Sequence, residues 1–452
     1  MPVKSSHYHH PLPKTLIVQL RNRIVLRLFV LFELLALSFL SSTTEAEEIV
    51  RRVPLNPIKF EKTDWPWWRG TERNGHAAAD QTPPLSWDEE KNVVWKIPVP
   101  GRGHGSPIVV GNRVFLATAA VDTHVQSIIC YVRDSGKQIW KTDLHTSVPP
   151  KKMNKKATMA SSSAACDGER VFINFLHDGA VYTTALSLDG HQIWQTKITD
   201  YRIHQGYGSS PALYDKLVIV SADNKLGGKV AALNRQNGKI IWEHSRPKNP
   251  NYPSPIILKA AGRDQVFLTG LNLLSSFDPR TGEKLWENPG ATTECVTSTV
   301  TDGNLVFTSG GYPKDHISAF KADGSQKEPV WENKTRVYVP SMLINDKHLY
   351  AVLDAGIAMC WKVDTGKELW KKRLGGKFTS SPVLVGKNIF VTSEDGKTHI
   401  FKASPVDFES VGENELGDEV FATPVICGNR IYTRVAHWEG DTRQEMLYCL
   451  GQ

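Results

Sequence analysis

The chain has 452 residues, 40% of them hydrophobic, 22% charged and 9% aromatic, a globular composition that excludes a disordered, collagen-like or coiled-coil protein. Thirteen Trp and 34 Gly against six Met point to strands and turns, and a net charge of +7 spread over this length is no nucleic-acid signature. Only one long apolar run occurs, which excludes a multi-span membrane protein.

That run is residues 24–40, IVLRLFVLFELLALSFL. Basic residues precede it and Thr44-Glu45-Ala46 follows, the order of a secretory signal peptide cleaved after Ala46. Arg27 and Glu33 interrupt the run and the stretch before Arg21 is long, so an uncleaved N-terminal membrane anchor is the alternative, near the short limit for a span. Either way the chain is exported, periplasmic or membrane-associated. No Cys lies near the cleavage site, so a lipid-anchored form is not expected. Residues 47–86 form a polar linker, expected to be poorly ordered over 47–62, and an extension with the phrase Trp65-Pro-Trp-Trp-Arg-Gly-Thr-Glu-Arg-Asn-Gly75. Three exposed Trp are costly in solubility, so Trp65, Trp67 and Trp68 are expected to pack on the side of the domain or cover one mouth. Arg69 and Arg73 would add cation–π contacts. Contact with a partner is the alternative for this phrase.

From residue 87 to 452 the chain repeats. Trp95, Trp140, Trp194, Trp242, Trp286, Trp331 and Trp370 recur at a mean spacing near 46 residues, 275 residues in six intervals. Several close a similar phrase, among them Asp134-Ser-Gly-Lys-Gln-Ile-Trp140, Asn237-Gly-Lys-Ile-Ile-Trp242 and Thr365-Gly-Lys-Glu-Leu-Trp370. The Gly supplies the positive φ of a tight turn, and the residues after it alternate into a strand. An opening half also recurs: Ser106-Pro-Ile-Val-Val-Gly-Asn-Arg-Val-Phe115, Ser381-Pro-Val-Leu-Val-Gly-Lys-Asn-Ile-Phe390 and Thr423-Pro-Val-Ile-Cys-Gly-Asn-Arg-Ile-Tyr432. Weaker copies start at Ser163, Ser210, Ser254, Ser298 and Ser341, which makes eight openings.

Four strands per period of 40–50 residues predict an all-β fold, an eight-bladed β-propeller of four-stranded blades, with seven blades as the alternative. The eighth blade runs out at Gln452 after three strands, and Asn92-Val-Val-Trp95-Lys-Ile97 is expected to supply the fourth and close the ring. The repeated Trp are expected to be structural docking groups. Cys130, Cys166, Cys295, Cys360, Cys427 and Cys449 include no CxxC and no close pair, and are expected to be small buried residues rather than disulfide partners.

Residues just before the openings point to the mouth of the channel: Arg102, His104, His204, Tyr207, Tyr252, Tyr338, Lys377 and Phe421. Such a ring would bind an anionic or planar ligand, with ordinary loop packing as the alternative. His104 and His204 without a nearby carboxylate phrase predict no metal site. Lys151, Lys152, Lys155 and Lys156 are expected to be a solvated loop, with contact to an acidic partner as the alternative.

The openings with Ser-Pro and the closing TGKxLW phrases resemble the PQQ-like, or quinoprotein-type, propeller repeat, itself WD40/YVTN-like in architecture. The WPWWRG phrase is similar to that of exported bacterial PQQ-like propeller proteins, with Thr71 where that group often has Pro. The resemblance implies one of two roles. The first is a non-catalytic binding scaffold in the cell envelope, distantly similar to the outer-membrane assembly lipoprotein BamB, with an unknown protein partner or small ligand and no cofactor. The second is a PQQ- and calcium-dependent oxidoreductase. The adjacent-Cys pair, the Trp-Asp-X-Asp-type base and the dedicated calcium loop associated with that second role are missing from this sequence, which favours the first.

Overall fold

The computed structural model describes residues 56–452 apart from 147, 151 and 152. The leader, residues 47–55, and Lys151 and Lys152 lie outside the described residues. The described residues from 56 on fall in one compact unit. Eight antiparallel four-stranded sheets follow one another along the chain, and no α-helix occurs among the described residues. Blades 1 to 7 span 108–146, 165–200, 212–245, 256–289, 300–333, 343–373 and 383–415, each built from consecutive strands. Blade 8 takes its inner three strands from Val425–Cys427, Arg430–Glu439 and Thr442–Leu450, and its outer strand from Val93–Val99. The pairing Trp95 with Cys449 and Val99 with Glu445 closes the ring. An eight-bladed count therefore replaces the seven-bladed alternative.

Each inner strand runs from one face of the ring to the other, and the segment before it returns to the first face. One face thus carries the loops that precede the openings. The opposite face carries the tight turns, including those ahead of the Trp strands.

Each of the seven repeated Trp side chains crosses a seam. The indole N–H of Trp95 donates to Arg133 O (2.9 Å), Trp140 to Leu188 O (2.8 Å), Trp194 to Arg235 O (3.1 Å) and Trp242 to Pro279 O (3.2 Å). Trp286, Trp331 and Trp370 reach Ala322, Val363 and Ser404 in the same way. In every case the acceptor lies in the turn before the outer strand of the following blade. In six of the seven turns a Gly also lies against the ring; the turn that receives Trp370, residues 403–409, has none. Gly238 has φ +73°, and a Cβ there would sit 2.6 Å from the Trp194 indole, so both conformation and space require Gly. The repeated TG phrase and the repeated Trp are one device read from two blades.

The inner strands are joined by a second device. The amide of six of the seven opening Ser donates to the hydroxyl of the next: Ser106 to Ser163 (2.9 Å), Ser163 to Ser210 (3.0 Å), Ser210 to Ser254 (2.8 Å), Ser298 to Ser341 (3.0 Å), Ser341 to Ser381 (2.9 Å) and Ser381 to Thr423 (2.9 Å). Small hydroxyl residues recur at the openings because only they satisfy a buried amide in so narrow a channel.

The WPWWRG phrase covers one mouth. Trp65 pairs with Val109 of blade 1, and Pro66 O accepts from Cys166 N of blade 2. Arg73 reaches Leu213 O of blade 3, and the Trp68 indole donates to Ser298 Oγ at the entrance to blade 5 (2.8 Å). Arg69 donates to Met342 O and Pro382 O at the entrances to blades 6 and 7, and Gly75 and Ala77 bond Leu384. Segment 64–77 is thus a plug stitched to six blades. The Arg73 guanidinium stacks on Trp67 at 4.2 Å, as expected. Arg69 does not make a cation–π contact; its fork is taken by carbonyls. Within the linker, Ile58 and Phe60 pack against the cluster that holds Trp67, so the order there begins before residue 62.

All six Cys are free and buried, five in blade strands and Cys295 in the loop between blades 4 and 5. His76, His145 and His316 are each pulled down from the ordinary histidine value to about 4, above all by burial. The folded state prefers the neutral rings, whereas the unfolded chain takes up protons below about pH 6.5. Stability is therefore expected to be full above pH 6.5 and to fall as pH drops toward 4. Urea midpoints measured from pH 7.5 to 4.5 check this, and His316→Gln is expected to flatten the slope.

Candidate functional site

The face opposite the plug opens into a funnel. Its wide part is a cavity of about 920 Å³ bounded by the loops of blades 2 to 7. Beside it lies a trough of about 630 Å³ toward blades 7, 8 and 1. Below lies a chamber of about 180 Å³ ringed by the opening hydroxyls and floored by Trp68. The three adjoin: Lys156, Lys377 and Glu394 border both cavity and trough, while Tyr252, Val296 and Val339 border both cavity and chamber.

The eight residues singled out from the sequence distribute over this funnel. His204, Tyr207, Tyr252, Tyr338 and Lys377 line the cavity, and Arg102, Lys377 and Phe421 line the trough. His104, Tyr252 and Phe421 line the chamber. His104 and His204 do not meet. His104 stacks on Phe421, ring centroids 4.3 Å apart, and burial followed by the charges of Arg102, Arg434 and Arg443 holds its pKa well below the usual range. His204 instead faces Tyr252 (3.2 Å) and Glu294 (3.5 Å), contributed by three successive loops. Burial pushes the Glu294 carboxyl up, against the pull of His204 and Lys225. Burial, and then Glu294, push the Tyr252 phenol far up, so it stays a proton donor.

Sequence reasoning missed the carboxylates. Asp354 accepts the amides of Tyr338 (2.8 Å) and Val339 (3.2 Å), which fixes the loop that presents Tyr338. Burial raises its pKa against those two bonds. Glu394, on blade 7, pairs with Lys156 (2.6 Å) and accepts from Thr379. Lys156 comes from the long loop between blades 1 and 2, so this pair straps that loop across the mouth and divides cavity from trough. Asn154 anchors the same strap to Gln205, amide to side-chain oxygen at 3.0 Å. The lysine loop is therefore not wholly solvated: Lys156 is spent on Glu394, and Lys155 borders the trough. Arg336 stacks on Tyr338 at 4.9 Å and pairs with Asp315 at 3.0 Å. Among the described residues no group of three or more His, Cys, Asp or Glu is placed to hold a metal ion.

Comparison with known proteins fits this architecture. Outer membrane protein assembly factor BamB of Burkholderia pseudomallei is 25% identical over 344 residues, spanning 73% of this chain and 81% of that protein. The Bordetella pertussis protein of the same name is 24% identical over 324 residues, 67% of this chain and 74% of the other. Tetrathionate hydrolase of Acidithiobacillus ferrooxidans is 23% identical over 365 residues, 67% of this chain and 65% of its own. Among solved structures, BamB from Moraxella catarrhalis superposes with a TM-score of 0.55 at 14% identity, covering 78% of this chain and 96% of that one. A europium-containing methanol dehydrogenase gives 0.62 at 11% identity, covering 87% and 98%. These structures share the fold. The family described as outer membrane protein assembly factor BamB matches residues 70–205, 125–372 and 345–410, and the chain belongs to it.

Proposed function

We propose that the protein is a non-catalytic binding propeller of the cell envelope that receives a partner or ligand at its open mouth and carries no resident cofactor. The observation that carries this reading is the asymmetry of the two mouths. The chain closes one with its own segment 64–77, and leaves the other as a wide, aromatic-walled funnel. The kinship with assembly factors supports a protein as the partner.

The quinone-dependent alternative draws on likeness of fold. A calcium-bound quinone needs oxygen ligands gathered at one point beside a flat slot. Here Glu294 is engaged by His204 and Tyr252, Asp354 by two amides, and Glu394 by Lys156 and Thr379. Each carboxylate sits apart in its own protein contacts, so the donor set does not fit that pair.

A photo-crosslinking residue placed at Tyr312 or Lys377, on the open mouth, is expected to capture a partner in cells. One placed at the half-exposed Ile139, on the outer edge of blade 1, is expected to capture none. PQQ with Ca²⁺ is expected to leave the melting temperature unchanged. Capture only at Ile139, or a marked calcium-dependent rise in melting temperature with PQQ, would overturn the proposal.

A further inference from the structure

The chamber below the funnel has an unusual balance of hydrogen-bonding groups. Six of the repeat's opening hydroxyls line it, those of Ser163, Ser210, Ser254, Ser341, Ser381 and Thr423, together with Ser161 and Thr379, whose protons go to Thr158 O and Glu394. Each of the six opening oxygens already accepts a backbone amide from the neighbouring blade. None of the six donates to any acceptor among the described residues. A hydroxyl has one proton to give and two lone pairs, one of which the amide occupies here, so the ring presents six unspent donors. The Trp68 side chain on the floor adds no free group, because its indole N–H, a donor only, is already bonded to Ser298.

The nearest carboxylates, Glu294 and Glu394, are held outside the chamber wall by Tyr252 and Thr379. No carboxylate lines the chamber. Beneath it, Arg69 is buried to 2% exposure with its fork on the carbonyls of Met342 and Pro382, one residue beyond Ser341 and Ser381 of the ring. It has no carboxylate within ion-pair distance among the described residues, and its Nε has no partner. A guanidinium stays charged in such a setting, and an unpaired buried charge is costly. A cation in the chamber would meet neutral hydroxyls and a like charge. An anion would meet six hydroxyl protons and the field of Arg69.

We propose that this hydroxyl-ringed chamber is an anion site that takes a carboxylate. Its collar of Tyr252, Val296, Val339 and Phe421 admits an apolar neck behind the charged head. The carboxylate has two sources, a free small acid or the chain terminus of a peptide lying in the wide cavity. The inference rests on the open mouth as the binding face.

Trifluoroacetate followed by ¹⁹F NMR is the probe. Saturable line broadening with the purified protein, reversed by acetate, is the expected result. Two peptides identical except for a terminal carboxylate or amide separate the sources. Displacement about tenfold or more stronger by the acid form assigns the site to a chain terminus, and equal weakness of both assigns it to free acids. Ser254→Asp places a carboxylate inside the ring. It is expected to abolish the broadening while leaving the melting temperature at or above wild type, and Ser381→Asp repeats the test from a wall three blades away. Absence of broadening in the wild-type protein, or broadening that persists in both variants, overturns the anion site. Cross-linking at Tyr312 and Lys377 without trifluoroacetate binding would leave the mouth as the binding face and remove only this inference.

Discussion

Replacing Glu445 by alanine is expected to destabilise the propeller by about 3–5 kcal/mol, the cost of leaving a buried charge without its partner. Glu445 is 2% exposed and stands where the ring closes. It pairs with Arg434, 3% exposed, on the adjacent strand of blade 8, and with Arg443 at 2.6 Å, and it accepts from Gly103 N at 3.3 Å. Arg434 in turn donates to Ala117 O of blade 1 at 2.6 Å and to Thr118 Oγ1 at 3.3 Å. Alanine at 445 strands Arg434 inside the blade 8–blade 1 seam with hydrogen bonds but no counter-charge, whereas Arg443 keeps Glu419 at 2.7 Å. The expected signature in urea unfolding is a lower midpoint. Arg434→Met with Glu445→Leu removes both charges and keeps the volume, and is expected to recover most of the loss. A single Glu445→Ala variant within about 0.5 kcal/mol of wild type would show that the pair does not hold the closure.

What the sequence makes legible follows from what the repeat enforces. Trp, Gly and the opening Ser recur because most seams use the same indole, the same left-handed turn and the same narrow hydroxyl. Periodicity therefore reports blade count, strand order and ring closure by Val93–Val99 before any coordinates. The mouth residues are legible for the same reason, since a position just before an opening lands on one face of the ring in every blade. Their chemistry is less so. Asp354 and Glu394 do stand at equivalent places, in the turns between the second and third strands of blades 6 and 7, but Glu294 lies in the loop before an opening, so no single period gathers the three, and the Lys156–Glu394 pair joins residues 238 apart whose closeness is a product of ring curvature. The sequence also groups Arg69 and Arg73 as equivalent cation–π partners. Only the path of the plug separates them, because Arg73 lies over Trp67 while Arg69 passes beneath blades 6 and 7. The pattern of Ser openings reads as structural in the sequence. Its second consequence, a ring of unspent hydroxyl protons, emerges only when the amide partners are traced.

The one seam that the repeat leaves without its indole carries the other large expected effect. Blade 7 ends in Ser410–Glu415, which contains no Trp to cross to blade 8. Trp87, which precedes the first strand by chain order, fills that gap. It is 5% exposed and packs among Phe390, Leu416, Ile426, Val435 and Leu450, residues from the facing sides of blades 7 and 8. Its backbone is fixed to blade 7: Trp87 N donates to Asn414 Oδ1 at 2.8 Å, and Asn414 Nδ2 donates to Leu85 O at 3.1 Å. Trp87→Ala is therefore expected to cost about 3–5 kcal/mol, as for other buried aromatic truncations, even though no repeat motif marks the residue. The location of the damage distinguishes this role from general core loss. Amide exchange is expected to speed up in Ser410–Glu415 and Val425–Cys427 at low denaturant, with blades 2 to 4 unchanged, because those blades keep their own indole seams. Trp87→Phe retains part of the ring and is expected to lose less than half as much. Uniform acceleration across all blades would mean that Trp87 supports the ring globally and not the 7–8 seam in particular.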